Sequence, residues 1–293
     1  MTEIAGRGRA LATLAAAGGA GVVGLYLVFV HTPIGQRWDD RALLGGQLAS
    51  LDSRQALTAA LHGVRISTIV LMIVLLLVIG LVRKRLVTAV TMAAAFGFSI
   101  LSAEVLKRVL PRRDLAPELN AYVDNGNIDT YPSGHATIAM GFALALIVVS
   151  SPRYRTAAAA FGMAWAAAVP MAALAAGWHR PSDVMGGMAL ALMWLAGATA
   201  IALRRRGIID TIPGSTRLLP LIAAAVAIGA LIALTAWVLA GDSQEVPVSG
   251  GLVAFVSAEI LIALVAVLVV SVFAYVVRGL SFPHRGNTSP IAS

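Results

Sequence analysis

Along most of the chain, apolar residues come in long unbroken runs separated by short polar stretches. A run of roughly 20 apolar residues is long enough to cross the hydrocarbon of a bilayer as a helix. Eight such runs stand out, at 10–30, 66–82, 86–106, 135–150, 156–177, 184–203, 218–240 and 252–277. No tandem repeat or soluble domain interrupts them. The pattern predicts an all-α, polytopic membrane helical bundle. The first run, preceded by Arg7 and Arg9, has features of a signal peptide, but its length favours an uncleaved anchor. Between the first and second runs, segment 31–65 sets Leu43, Leu44, Leu48, Leu51, Leu57 and Leu61 among polar residues. It reads as one or two short amphipathic helices, either lying on the membrane surface or packed over the bundle.

Composition supports the membrane reading. Hydrophobic residues make up 59% of the 293 residues and charged residues only 12%, about half the charged share usual in soluble domains. Mean hydropathy is +0.86. These figures exclude disorder and coiled coil. The absence of cysteine excludes disulfides, thiolate metal sites and a cysteine nucleophile. All but two of the 22 basic residues are Arg, which together with abundant Ala suggests a GC-rich bacterial genome.

The net charge of +8 would suit nucleic acid in a soluble chain. In a membrane chain, basic residues instead mark the cytoplasmic connections. With the N-terminus inside, the inner connections hold 13 of the 22 basic residues, including Arg83-Lys84-Arg85 and Arg204-Arg205-Arg206, against only Glu3 and Asp210. The outer segments, 31–65, 107–134, 178–183 and 241–251, hold nine basic residues and ten acids. Both termini are therefore expected in the cytoplasm of a multi-pass bacterial inner-membrane protein. The partners expected are membrane lipids, and no nucleic acid.

Two outer segments concentrate the chemistry. One runs from Lys107, Arg108, Arg112 and Arg113 to Pro132-Ser133-Gly134-His135; the other is Trp178-His179-Arg180-Pro181-Ser182-Asp183. Ser133 and Gly134 precede an apolar run directly, so they lie at a helix N-terminus, where free N–H groups favour an anion. A plain Ser N-cap is the structural alternative. The basic cluster suits phosphate oxygens, and snorkelling at a span end is its alternative. Glu104, one turn earlier, is placed to pair with Lys107 or Arg108. His179 and Asp183, four residues apart, share a face; the carboxylate can fix the imidazole tautomer and leave the other nitrogen as nucleophile or base. Glu259 stands alone in the last run, near its outer end, and is not assigned to the site. No metal motif is present; Asp124 and Asp129 read as solvated loop acids.

At these residues the sequence resembles the type 2 phosphatidic acid phosphatase superfamily of membrane phosphatases. That family carries Lys…Arg-Pro, then Pro-Ser-Gly-His, then Arg followed by His-x-x-x-Asp. The second motif stands here as Pro132-Ser133-Gly134-His135, and the third keeps His179 and Asp183. The resemblance implies a six-helix phosphatase core (1–203), followed by two additional transmembrane helices (204–277) and a cytoplasmic tail (278–293). It implies lipid phosphate or diphosphate hydrolysis at the outer face, with no cofactor and no metal. His179 would be the nucleophile, Asp183 its orienting acid and His135 the proton donor. Lys107, Arg112 or Arg113, Ser133 and Gly134 would hold the phosphoryl group. Two positions depart from the pattern. The first-motif Arg position, seven after Lys107, holds Asp114; the third-motif Arg position, six before His179, holds Ala173. Arg180 or the additional first-motif Arg would take the latter's place.

Overall fold

A computed structural model describes residues 2–47, 51–63, 66–119, 130–206, 208–209 and 248–281. The expected run 218–240, Asp124, Asp129 and the tail from 282 lie outside the described residues. Among the described residues the fold is helical apart from a two-residue antiparallel ladder that pairs Ile208 with Ser281 and Ile209 with Leu280.

The apolar runs become helices close to where the sequence places them. They are α1 (Thr2–Leu25, continued by a π-helical turn Tyr26–Val30), α4 (Ile66–Val82), α5 (Leu86–Val109), α6 (Gly134–Val149), α7 (Arg155–Ala175), α8 (Pro181–Arg206) and α9 (Val248–Val277). Segment 31–65 forms α2 (Pro33–Gln47) and α3 (Leu51–His62). Among the described residues, five of the helices are long and apolar enough to cross a membrane, or six if the bent pair α3–α4 counts as one. The protein is a multi-pass membrane protein. Large apolar side chains such as Ile66, Leu71, Leu81, Phe98 and Leu101 lie exposed on α4 and α5, a face that lipid satisfies and water does not.

The core is built around α6. At 16 residues it is shorter than the other spans, and nearly every residue from Gly134 to Val149 is buried. It packs against α5, α7 and α8, while α1 lies along α8. The last helix, α9, packs against α2 and α7. Phe255 of α9 meets Gly45 and Gly46 of α2. Both carboxylate oxygens of Glu259 on α9 are buried with no hydrogen-bond partner among the described residues.

The two ends of the bundle differ in what they gather. At one end, arginines cap helix C-termini, where free carbonyls and the negative dipole end favour a cation. Arg155 donates from Nη1 to the carbonyl of Val277 at 2.7 Å and from Nε to that of Ile147 at 3.2 Å. Arg83 donates to the Val149 carbonyl. Arg7 donates to the carbonyls of Val276 and Arg278. The other end brings together the C-terminus of α5, the N-termini of α6 and α8, and helix α2.

Helix α2 covers that second end with polar side chains turned inward. Gln36, Asp39 and Asp40, spaced to share a helical face, are all buried. Of the two placements open to segment 31–65, α2 takes the one over the bundle. Gln36 donates to the Arg113 carbonyl at 2.5 Å and accepts from the Leu115 N–H at 2.9 Å. It thereby holds the chain that follows α5.

Candidate active site

The two motif segments are joined by backbone. The Ser133 N–H donates to the Asp183 carbonyl at 2.8 Å. Thr137 Oγ1 donates to the carbonyls of Ser133 and Gly187. The close approach depends on Gly186 and Gly187. A Cβ on Gly186 would stand 2.6 Å from the Tyr131 ring, and one on Gly187 would meet the Ser133 carbonyl. Tyr131 is locked in turn by donating its hydroxyl to the Val22 carbonyl at 2.5 Å. Burial, with the charges of Asp183 and Asp39, raises its pKa and keeps that proton in place.

Among the described residues, no carboxylate accepts from the first-turn N–H groups of α6. Ser133 is its N-cap, accepting the Ala136 N–H at 3.4 Å. The N–H groups of Gly134 and His135 are in the first turn, where no carbonyl of the same helix reaches them. Lys107 stands beside them. A Cβ on Gly134 would lie 3.2 Å from Lys107 Nζ and 3.2 Å from Glu104 Oε1. Of the two partners open to Glu104, it takes Lys107, at 2.7 Å. The glutamate side chain is 51% exposed. Such a half-exposed pair contributes no more than about 1 kcal/mol, so an anion can displace the carboxylate from Lys107.

The imidazoles face each other at this point. The His135 and His179 ring centroids are 6.1 Å apart, and Trp178 packs against His135 at 5.3 Å. His62 of α3 also packs against Trp178, at 5.0 Å between ring centroids. His135 is half-buried and His179 buried. His179 Nδ1 lies 3.7 Å from Asp183 Oδ2. It has no hydrogen-bond partner among the described residues. That is longer than a hydrogen bond, a common state in ligand-free sites that tighten on binding.

Asp183 is tied down on every side. Its Oδ2 accepts from Thr130 Oγ1 at 2.5 Å and from the Arg180 N–H at 3.0 Å. Its Oδ1 lies 3.3 Å from Arg112 Nη2. At the third position of α8, Asp183 reaches back to the N–H that precedes the helix, as a capping-box acid does. Asp39 of α2 takes the next free group of the same helix end, accepting the Ser182 N–H at 3.1 Å and the Ser182 hydroxyl at 2.5 Å. The N-terminus of α8 is therefore filled by carboxylates, while that of α6 is not.

The predicted phosphate-binding arginines divide accordingly. Arg112 is buried, with Nη2 3.1 Å from Asp39 Oδ2 and 3.3 Å from both Ser182 Oγ and Asp183 Oδ1. Burial disfavours its charge, but Asp183 and Asp39 outweigh this and raise its pKa. Asp39 itself is pushed up to about 6, first by burial, against the pull of Arg112. Arg180 is buried against Asp40 at 2.6 Å. Arg113 is exposed. Ala173 is fully buried in an apolar cluster with Val169 and Ala139. The structure thus brings together Lys107, Ser133, Gly134, His135, His179 and Asp183, with Arg112 behind Asp183 and Arg180 beside Asp40.

Sequence reasoning passed over Asp39, Asp40 and Thr130. The available signal was a pair of adjacent acids on a helix in an outer segment, facing an outer excess of arginine.

The matched segment takes in all of these motifs. Residues 85–207 match the PAP2 superfamily model. The match covers α5 to α8; α1 to α4 and α9 lie outside it. Comparison with curated proteins and with solved structures gives no match. PAP2 proteins are phosphatases, and the match supports phosphoric ester hydrolysis by this membrane chain.

Proposed function

We propose that the protein dephosphorylates a lipid phosphate or diphosphate, polyprenyl or glycerolipid, at the extracytoplasmic face of a bacterial inner membrane, through a phosphohistidine and without a metal. The observation that carries this reading is the meeting of His135, His179 and Lys107 at the N-terminus of α6, at the bundle end opposite the arginine-capped one. A lipid tail enters from the bilayer between helices, and its phosphate displaces Glu104 from Lys107. The Gly134 and His135 N–H groups, Ser133 and Lys107 hold the phosphoryl oxygens. His179 Nε2 attacks phosphorus while Asp183 steadies the positive charge that develops on the ring. His135 gives its proton to the departing lipid oxygen. It then takes one from the water that attacks the phosphohistidine and releases inorganic phosphate. The protein's contribution is placement and charge, which is most of what phosphoryl transfer requires.

Purified protein in detergent or nanodiscs, chelator present, should release phosphate from a panel of lipid phosphates, and His179→Ala should not. Equal turnover by the two would remove the proposed nucleophile. A second reading is favoured by the occupation of Arg112 and Arg180 by Asp39 and Asp40: a protein that binds lipid phosphates without turning them over. Retained lipid-phosphate binding with no release by wild type would support it. Transfer of the phosphoryl group to an acceptor other than water would appear as a new phosphorylated product.

A further inference from the structure

The role of Asp39 follows from what it touches. It lies on α2, outside the PAP2 segment, fully buried. Its two oxygens accept from the first turn of α8, the helix that carries Asp183, and from Arg112. Arg112 in turn reaches Asp183, which lies against His179. A guanidinium between two carboxylates is held in one orientation by both. If one is removed, it is free to swing toward the other. The α2 helix is fixed independently, through Gln36 to the chain after α5 and through Asp40 to Arg180. It therefore offers Asp39 as a rigid anchor.

We propose that Asp39 is a positioning residue of the phosphatase site, setting His179 through Arg112 and Asp183. The assignment rests on the phosphohistidine reading above. It places the far end of the orienting chain on α2: Asp39, Arg112, Asp183, His179. The chain also gives Arg112 a task that a phosphate ligand would not have. Removing a phosphate ligand weakens binding, whereas loosening the nucleophile slows the chemical step while binding persists.

The test compares wild type, Asp39→Asn, Asp39→Glu and Ser182→Ala on a lipid monophosphate, with folded protein quantified by size-exclusion and melting. Asp39→Asn should lower kcat by about 10- to 100-fold, the size seen when a group behind a ligand is lost, with KM within about twofold. Asp39→Glu should recover part of kcat. Ser182→Ala, which removes one Asp39 contact and keeps the charge, should lose less than Asp39→Asn. A melting change with kcat per folded molecule intact would make Asp39 a helix cap only, and a rise in KM alone would make the network part of phosphate binding; either result overturns the assignment. If Asp39→Asn does not fold, Ser182→Ala and Asp39→Glu decide by the same kcat criterion. A readout independent of turnover separates this inference from the reading beneath it. In histidine-labelled protein, the His179 resonance, assigned by its loss in His179→Ala, should move in Asp39→Asn. Should wild type prove inactive, the phosphatase reading falls, while an unmoved His179 resonance overturns the positioning role.

Discussion

The two ends of the bundle use the same residue for different work. At one end Arg7, Arg83 and Arg155 donate to backbone carbonyls at helix C-termini. At the other, Arg112 and Arg180 lie against Asp39, Asp40 and Asp183. The first arrangement closes the helices against one another. The second fixes side chains of the candidate site, and it requires acids to do so. Positive charge counted along the sequence does not separate these cases; the acids facing each arginine do. The comparison also bears on why the anion site is proposed on α6 rather than α8. Carboxylates fill the first turn of α8, whereas Lys107 and a half-exposed Glu104 stand before that of α6.

The comparison is broken most severely at the site end. Arg112→Met leaves Asp39 and Asp183 facing each other buried. It should cost about 3–5 kcal/mol, the usual result of removing one partner of a buried pair, and abolish turnover in whatever folds. Melting and phosphate release check both parts. At the opposite end, Arg155→Met should cost about 1–3 kcal/mol from unpaired buried carbonyls. Activity per folded molecule should be preserved, and a large drop would show that the two ends are coupled.

The acids at the site end add a pH signature that the carbonyl-capped end lacks. Asp39 binds a proton more tightly folded, at about 6, than unfolded, at 3.8. Its ionisation therefore favours the unfolded chain as pH rises between those values, and its destabilising effect is complete above about 6 and absent well below 3.8. The melting temperature of Asp39→Asn relative to wild type should climb across that interval and level off above it. A difference independent of pH would show that Asp39 does not titrate there. The smallest effect is expected for Glu104→Gln. Stability should change by less than about 1 kcal/mol, while KM for a lipid phosphate falls because Lys107 no longer has a competing carboxylate.

Much of this arrangement was legible in the sequence. The run 66–82 coincides with α4, and the other described runs match their helices to within a few residues except the first, whose helix already begins at Thr2 rather than at 10, because hydropathy reports directly on what faces lipid. Helix α8 begins earlier than its apolar run, at Pro181, since its first turn is polar and serves the site. His135, His179, Asp183 and Lys107 were readable as chemistry from residue type and spacing. Helix α2 was not readable in the same way. Leu43 and Trp38 show that a face is apolar, but Gln36, Asp39 and Asp40 are buried as well, and a pattern of polarity does not say which arginines a buried acid will meet. The same limit applies to Arg112 and Arg113. Adjacent in sequence, they differ only in that the first turns toward Asp39 and Asp183 and the second outward.

The most direct measurement is chemical. Purified protein should be mixed with a lipid phosphate labelled at phosphorus, quenched in base within a turnover, and mapped by peptide mass spectrometry. The account predicts a base-stable, acid-labile phosphoryl group on His179, formed without added metal, depleted by chase with unlabelled substrate and absent from His179→Ala. Turnover with the label on another residue, or with none trapped while His179→Ala hydrolyses at the wild-type rate, would contradict it.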